Sequence, residues 1–164
     1  MNPEKTEIAY FAGGCFWGVE YHFQNLKGVI STEVGFMGGN LPNPTYEQVS
    51  YDDTGHAETL KIVFDPAVVS YEELAMLFFE IHNPTQIDGQ GPDIGEQYRS
   101  VVFYTNETQK EICNKLIQIL IEKGLNVVTK LEKAQEFYKA EEYHQKYYQK
   151  NGHTPYCHIR VKRF

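Results

Sequence analysis

Residues 10–20 read "YFAGGCFWGVE". The apolar run leading into this stretch predicts a strand near 7–12, the paired glycines break it, and a helix follows near 15–26. Cys15 therefore sits at a strand-to-helix turn. There the unpaired helical N–H groups and the macrodipole favour an anion, which predicts a lowered thiol pKa and a raised thiolate fraction. Gly13 and Gly14 are expected to clear side chains from the approach to the sulfur. Phe16 and Trp17, the chain's only tryptophan, supply an apolar flank. A reactive Cys15 stands against a merely packed one, since a free cysteine is commonly a core residue.

Outward from that turn, the pattern gives strands near 29–36 and 57–64, with Leu60, Ile62 and Phe64 alternating, then a helix near 71–82 and a strand near 100–104. The order is β-α-β-β-α-β, a split βαβ arrangement. A helix near 107–123 carries Ile112, Leu116, Ile119 and Leu120 at helical spacing, a strand follows near 127–131, and "AEEYHQKYYQK" predicts one last amphipathic helix. The class is α+β: a two-layer sandwich with a ferredoxin-like core, extra helices and a C-terminal tail. "MGGNLPNPT" and "NPTQIDGQGPDIG" are too short for interdomain linkers and read as loops over one domain. Residues 1–150 are expected to form its body and 151–164 its tail.

At 164 residues the chain buries a core without disulfide or metal staples. Lys+Arg 15 against Asp+Glu 22 leaves a net charge of −7, without the basic footprint that nucleic-acid binding requires. No segment approaches the roughly 20 apolar residues of a membrane helix, so a soluble, cytoplasmic monomer is expected. Three separated cysteines, Cys15, Cys113 and Cys157, point to free thiols. Cys113 shares an apolar helix face with Leu116 and reads as packing. Cys157 lies in a Gly/Pro-containing tail near Arg160, Lys162 and Arg163, where a mobile thiol beside cations suits exchange chemistry.

Glu58, in "TGHAETLKIVFD", enters an otherwise apolar strand. An unpaired carboxyl buried there keeps its proton, and a protonated Glu beside a nucleophile is a general acid. The plainer reading is a charged residue at an exposed strand start. His56-Ala57-Glu58 matches half of the zinc-deaminase signature, but "TPYCHIR" lacks the C-x-x-C half, so no metal is expected and His56 reads as a loop or supporting residue. A thiol hydrolase is an alternative, with His153 or His158 as base, although no asparagine follows to orient either imidazole. A peptide-binding module using only the Trp17 pocket is another.

Taken in order, "GCFWGVE", "GVISTEVGFMGG", "NPTYEQV", "TGHAE", "DIGEQYRS" and "AEEYHQKY" resemble the A-type peptide methionine sulfoxide reductases through nearly the whole chain. The resemblance implies that Cys15 attacks the sulfoxide sulfur while Phe16 and Trp17 hold the substrate methyl group. It implies that Glu58 protonates the oxygen, that Tyr46 and Tyr98 donate hydrogen bonds to it, and that Asp93 belongs to the supporting network. Cys15 would be left as a sulfenic acid, Cys157 would resolve it to a disulfide, and thioredoxin would reduce that disulfide. Substrates would be the S epimer of methionine sulfoxide in proteins, in peptides or free. No cofactor is implied.

Overall fold

The computed structural model describes residues 6–51, 54–152 and 158–164. Its strands are β1 (Glu7–Gly13), β2 (Val29–Met37), β3 (Ala57–Phe64), β4 (Gly89–Gln90), β5 (Asp93–Ile94), β6 (Ser100–Tyr104), β7 (Lys130–Lys133) and β8 (Tyr138–Lys139). The helices are α1 (Phe16–Phe23), α2 (Tyr46–Tyr51), α3 (Tyr71–Ile81), α4 (Glu107–Glu122) and α5 (Tyr147–Asn151), with 3-10 turns at Glu96–Tyr98 and Glu142–His144. Among the described residues the main sheet runs β7-β6-β1-β3-β2-β8. Its pairings are antiparallel except β6 with β7, which is parallel.

The period of two along each strand decides which side chains meet the helices. Phe11, Phe36, Leu60, Ile62, Phe64 and Val102 join Phe16, Phe23, Phe78 and Leu116 from α1, α3 and α4 in the large core. Their neighbours Ala12, Met37, Ala57, Val101 and Phe103 form a smaller cluster with Tyr10, Ala134 and Phe137. Glu58 is in step with Leu60 and Ile62, so its side chain falls on the helix-bearing side. Helix starts follow local chemistry. Ser70 and Glu73 form a capping box on α3, and Asn106 accepts from Gln109 N on α4. Helix α1 begins on Cys15 without a side-chain cap.

The expected order of the first six elements is observed, with two additions. Helix α2 lies inside the long 37–57 loop, and the β4–β5 hairpin, a separate two-stranded sheet, lies between α3 and β6. The strand expected near 127–131 pairs at 130–133 instead. The single helix expected over 140–150 is not formed. The chain makes one 3-10 turn, reverses at Lys146 with φ +53°, and only then enters α5. The cause is tertiary. Gln145 uses its amide to receive Val34 N at 2.8 Å and to donate to Val34 O and Ala140 O, extending the edge of β2 in place of a strand residue. Helical periodicity survives in the sequence, but a continuous helix is incompatible with those bonds.

Candidate active site

Gly14 turns the chain at φ +93°, and Cys15 follows at the head of α1 with its carbonyl receiving Gly18 N at 3.1 Å. The side chain is buried at the first turn of α1, where the backbone N–H groups of Trp17 and Gly18 pull its pKa down. A lowered pKa was the expectation for this position; the structure gives the opposite. Burial, and then the charge of Glu58, hold the Cys15 thiol well above its ordinary value and outweigh the two N–H groups. The site is closed over, and loss of solvent outweighs the pull of the helix start.

Glu58 is 1% exposed, which removes the exposed-strand-start reading. Phe16 N donates to its Oε1 at 3.2 Å, while Oε2 is buried with no hydrogen-bond partner among the described residues. Burial pushes the carboxyl up to about 8, the Phe16 N–H pulls it down and the Asp93 charge adds to the rise. Glu58 thus carries a proton at neutral pH. In that state its repulsion of a Cys15 thiolate is absent, and the N–H groups of Trp17 and Gly18 act on the sulfur unopposed by it.

Three further side chains arrive from separate elements. Tyr46 opens α2 and Tyr98 closes a 3-10 turn, and a side-chain hydrogen bond joins them. Burial chiefly, then the charge of Glu58, raises both phenols, so both remain O–H donors. Asp93, on β5, adds its charge at Cys15, Glu58 and Tyr98. Five candidate polar residues scattered over 84 positions therefore share one electrostatic environment. The sixth, Cys157, lies outside the described residues.

Phe16 is fully buried beneath Phe36, Tyr46 and His144, with ring centroids 5.6, 5.9 and 5.5 Å away. Trp17 is only part-buried. Its ring stacks on Tyr147 at 3.8 Å, and its Nε1–H donates to His144 Nδ1 at 3.0 Å. Of the two residues assigned to the apolar pocket, Trp17 is the one that keeps accessible surface. His144, not singled out from the sequence, is 1% exposed and lies 4.3 Å from the Tyr46 ring. Burial lowers its pKa against the pull of Glu141. With Nδ1 accepting, Nε2 carries the hydrogen, and it too lacks a partner among the described residues. The "YHQ" order held no signal for this, because the contact spans 127 positions.

The space beside the glycines is filled by packed side chains. A Cβ on Gly13 would meet Phe78 at 2.7 Å, one on Gly14 would meet Gln90 at 2.8 Å, and one on Gly18 would meet His158 Nδ1 at 2.1 Å. His158 is buried in the notch left by Gly14 and Gly18. Its Nε2 donates to Gly13 O at 2.7 Å, and its own carbonyl receives His22 Nε2 at 2.5 Å. An imidazole so engaged is a brace rather than the base of a thiol hydrolase; His153 lies outside the described residues. The cations expected beside Cys157 are partly committed elsewhere. Arg160 pairs with Glu80 at 2.8 Å, and Arg163 donates to Glu80 and to Phe79 O, so residues 158–164 are bound to α3 rather than loose. Cys113 is fully buried against the Tyr71 hydroxyl at 3.5 Å, and burial pushes it up to about 11. His56 braces its loop, receiving Gly39 N at 3.0 Å and donating to Leu41 O at 2.7 Å.

The family described as peptide methionine sulfoxide reductase matches residues 7–164. A peptide methionine sulfoxide reductase MsrA of Sulfolobus acidocaldarius is 48% identical over 163 residues, covering 96% of this chain and 93% of the relative. Among solved structures, reduced Mxr1 from Saccharomyces cerevisiae superposes with a TM-score of 0.88 at 34% identity, covering 99% of this chain and 95% of that one. Mxr1 in complex with Trx2 matches at 25% identity with a TM-score of 0.65, covering 99% and 94%.

Proposed function

This chain belongs to the peptide methionine sulfoxide reductase family, and on that premise we propose that it reduces methionine sulfoxide to methionine with Cys15 as the nucleophile. The observation that carries the assignment is Glu58: a carboxyl pushed up to about 8, beside the thiol, with one oxygen left without a partner among the described residues. A sulfoxide oxygen is the acceptor that this proton lacks.

Attack of the Cys15 sulfur on the sulfoxide sulfur forms a transient S–S bond and passes the thiol proton to the Glu58 carboxylate left by proton donation; as that S–S bond and the S–O bond break, the oxygen passes to Cys15 and two electrons stay on the substrate sulfur. Glu58 protonates that oxygen as the S–O bond weakens, and Tyr46 and Tyr98 donate to it. The products are methionine and a Cys15 sulfenic acid. Condensation with the Cys157 thiol releases water and forms a disulfide, and a thioredoxin dithiol returns both cysteines to thiols by exchange. The solved Mxr1–Trx2 complex supports that choice of reductant. Trp17 is the apolar wall for the methyl end, with Phe16 packing behind it.

The order β6-β1-β3-β2, all antiparallel with α1 and α3 as crossovers, supports reading the core as a ferredoxin-like two-layer sandwich. We read the chain as one catalytic domain, residues 1–150, followed by the recycling tail, acting as a monomer in the cytoplasm. Among the described residues no helix is long and apolar enough to cross a membrane. Racemic methionine sulfoxide peptide and a dithiol test the proposal. Conversion should stop near half with the R epimer left; equal loss of both epimers on chiral chromatography overturns the stereochemistry, and no methionine overturns the reaction.

A further inference from the structure

Glu20 sits on α1 three residues after Trp17 and is 1% exposed, yet it has no part in the chemistry above. Both of its oxygens are engaged. Thr32 Oγ1 donates to Oε2 at 2.8 Å, and the backbone N–H of Lys146 donates to Oε1 at 2.6 Å. Lys146 is the residue at φ +53°, a left-handed conformation that is unfavourable for a side-chain-bearing residue and needs a tertiary partner to persist. Its flanks bear directly on Trp17. Two residues before it His144 takes the indole N–H, and one residue after it Tyr147 stacks on the ring. The indole's hydrogen bond and its 3.8 Å ring stack thus flank the one peptide N–H that Glu20 receives, while Tyr46, from α2, stacks on the same ring at 6.1 Å.

We propose that Glu20 is a positioning residue for substrate binding: by receiving Lys146 N–H it fixes His144 and Tyr147 against Trp17, and so sets the wall on which the methyl end of the substrate lies. This rests on the reading of Trp17 as a substrate contact. Helix α1 carries both ends of the arrangement, Trp17 and its tether. The loop is therefore referenced to the same rigid element as the side chain it orients. A buried carboxylate whose oxygens both accept from distant elements specifies one register of the two segments, because any other register strands a buried donor.

Reach, not charge, is the property to test. Glu20→Asp keeps the charge but is one methylene shorter and cannot span Thr32 and Lys146 together. Glu20→Gln keeps the span, with its amide oxygen receiving Lys146 N–H and its NH2 donating to the Thr32 hydroxyl. Two readouts apply to the full chain: emission of Trp17, the only tryptophan, and single-turnover methionine formation against peptide sulfoxide concentration. Glu20→Asp should shift emission to the red, increase acrylamide quenching and raise the half-saturating peptide concentration about tenfold, with the saturating rate within about threefold of the parent. Glu20→Gln should stay within about threefold on both measures. Parental emission and binding in Glu20→Asp, or equal damage in both variants, overturns the proposal. Shifted emission with unchanged binding overturns it through the reading of Trp17 on which it rests. Should Glu20→Asp not fold, Thr32→Val, which removes the second anchor alone, must shift both readouts in the same direction; parental values there overturn it.

Discussion

The backbone N–H of Phe16 donates to Glu58 Oε1 at 3.2 Å, so the residue after Cys15 holds one oxygen of the Glu58 carboxyl, while the other is buried without a partner among the described residues. The first turn of α1 and the first residues of β3 are thereby locked together at the carboxyl proposed as the proton donor. Glu58→Gln keeps the bond to Phe16 but has no acidic proton. Methionine formation at neutral pH should fall about 10²–10⁴-fold, with part of the loss recovered in acid. In the parent, the single-turnover rate should decline as pH rises through about 8, where Glu58 ionises. A variant within about twofold of the parent at neutral pH excludes Glu58 as the acid.

The same carboxyl sets a pH dependence of stability. Its folded pKa, about 8, lies above the ordinary 4.5, so the folded state binds the proton more tightly than the unfolded chain. Its contribution is fully present below about pH 4.5 and is lost as pH rises through about 8. Glu58→Gln never ionises. Its thermal midpoint should exceed the parent's above pH 8, with the gap closing toward pH 4.5. A gap that does not vary with pH excludes this origin.

Gly18→Ala places a methyl group 2.1 Å from His158 Nδ1. Glycine's open helical position is filled by that imidazole, so either the ring leaves Gly13 O or the helix shifts. A loss of about 1–3 kcal/mol by denaturant titration is expected, together with faster proteolysis of the C-terminal residues. Parental stability would mean that His158 yields its place at no cost.

The three thiols should separate cleanly. Cys15→Ser should form no methionine. Cys157→Ser should form about one equivalent per enzyme and then stall with thioredoxin, carrying a sulfenic acid that dimedone traps. Cys113, fully buried against Tyr71, should become alkylatable only on denaturation. Mass spectrometry of enzyme exposed to sulfoxide without reductant should show a Cys15–Cys157 link. A dominant link through Cys113, or sustained thioredoxin-driven turnover by Cys157→Ser, reassigns the recycling thiol.

Local pattern alone determined much of this protein. The alternation of Leu60, Ile62 and Phe64, the spacing of Leu116 and Leu120, and the glycine break before Cys15 gave the order β-α-β-β-α-β, because period and turn chemistry are properties of neighbouring residues. The motif order carried the family. What lay beyond the sequence is non-local by nature. Cys15 has the address of an activated thiol, yet its ionisation is set by burial and by Glu58, 43 positions away. Glu58 could be read from its strand as an exposed start or a buried acid, and only the packing of α1 over it removes the first. His144 and Glu20 carry no local signal because the bonds to Trp17 and Lys146 that give them a role span 126–127 positions. The last helix failed because Gln145 hydrogen-bonds Val34 and Glu20 holds Lys146 at positive φ. Secondary structure is written in near neighbours, whereas a proton's affinity and a ring's orientation depend on which distant atoms exclude water, and only the assembled fold decides that.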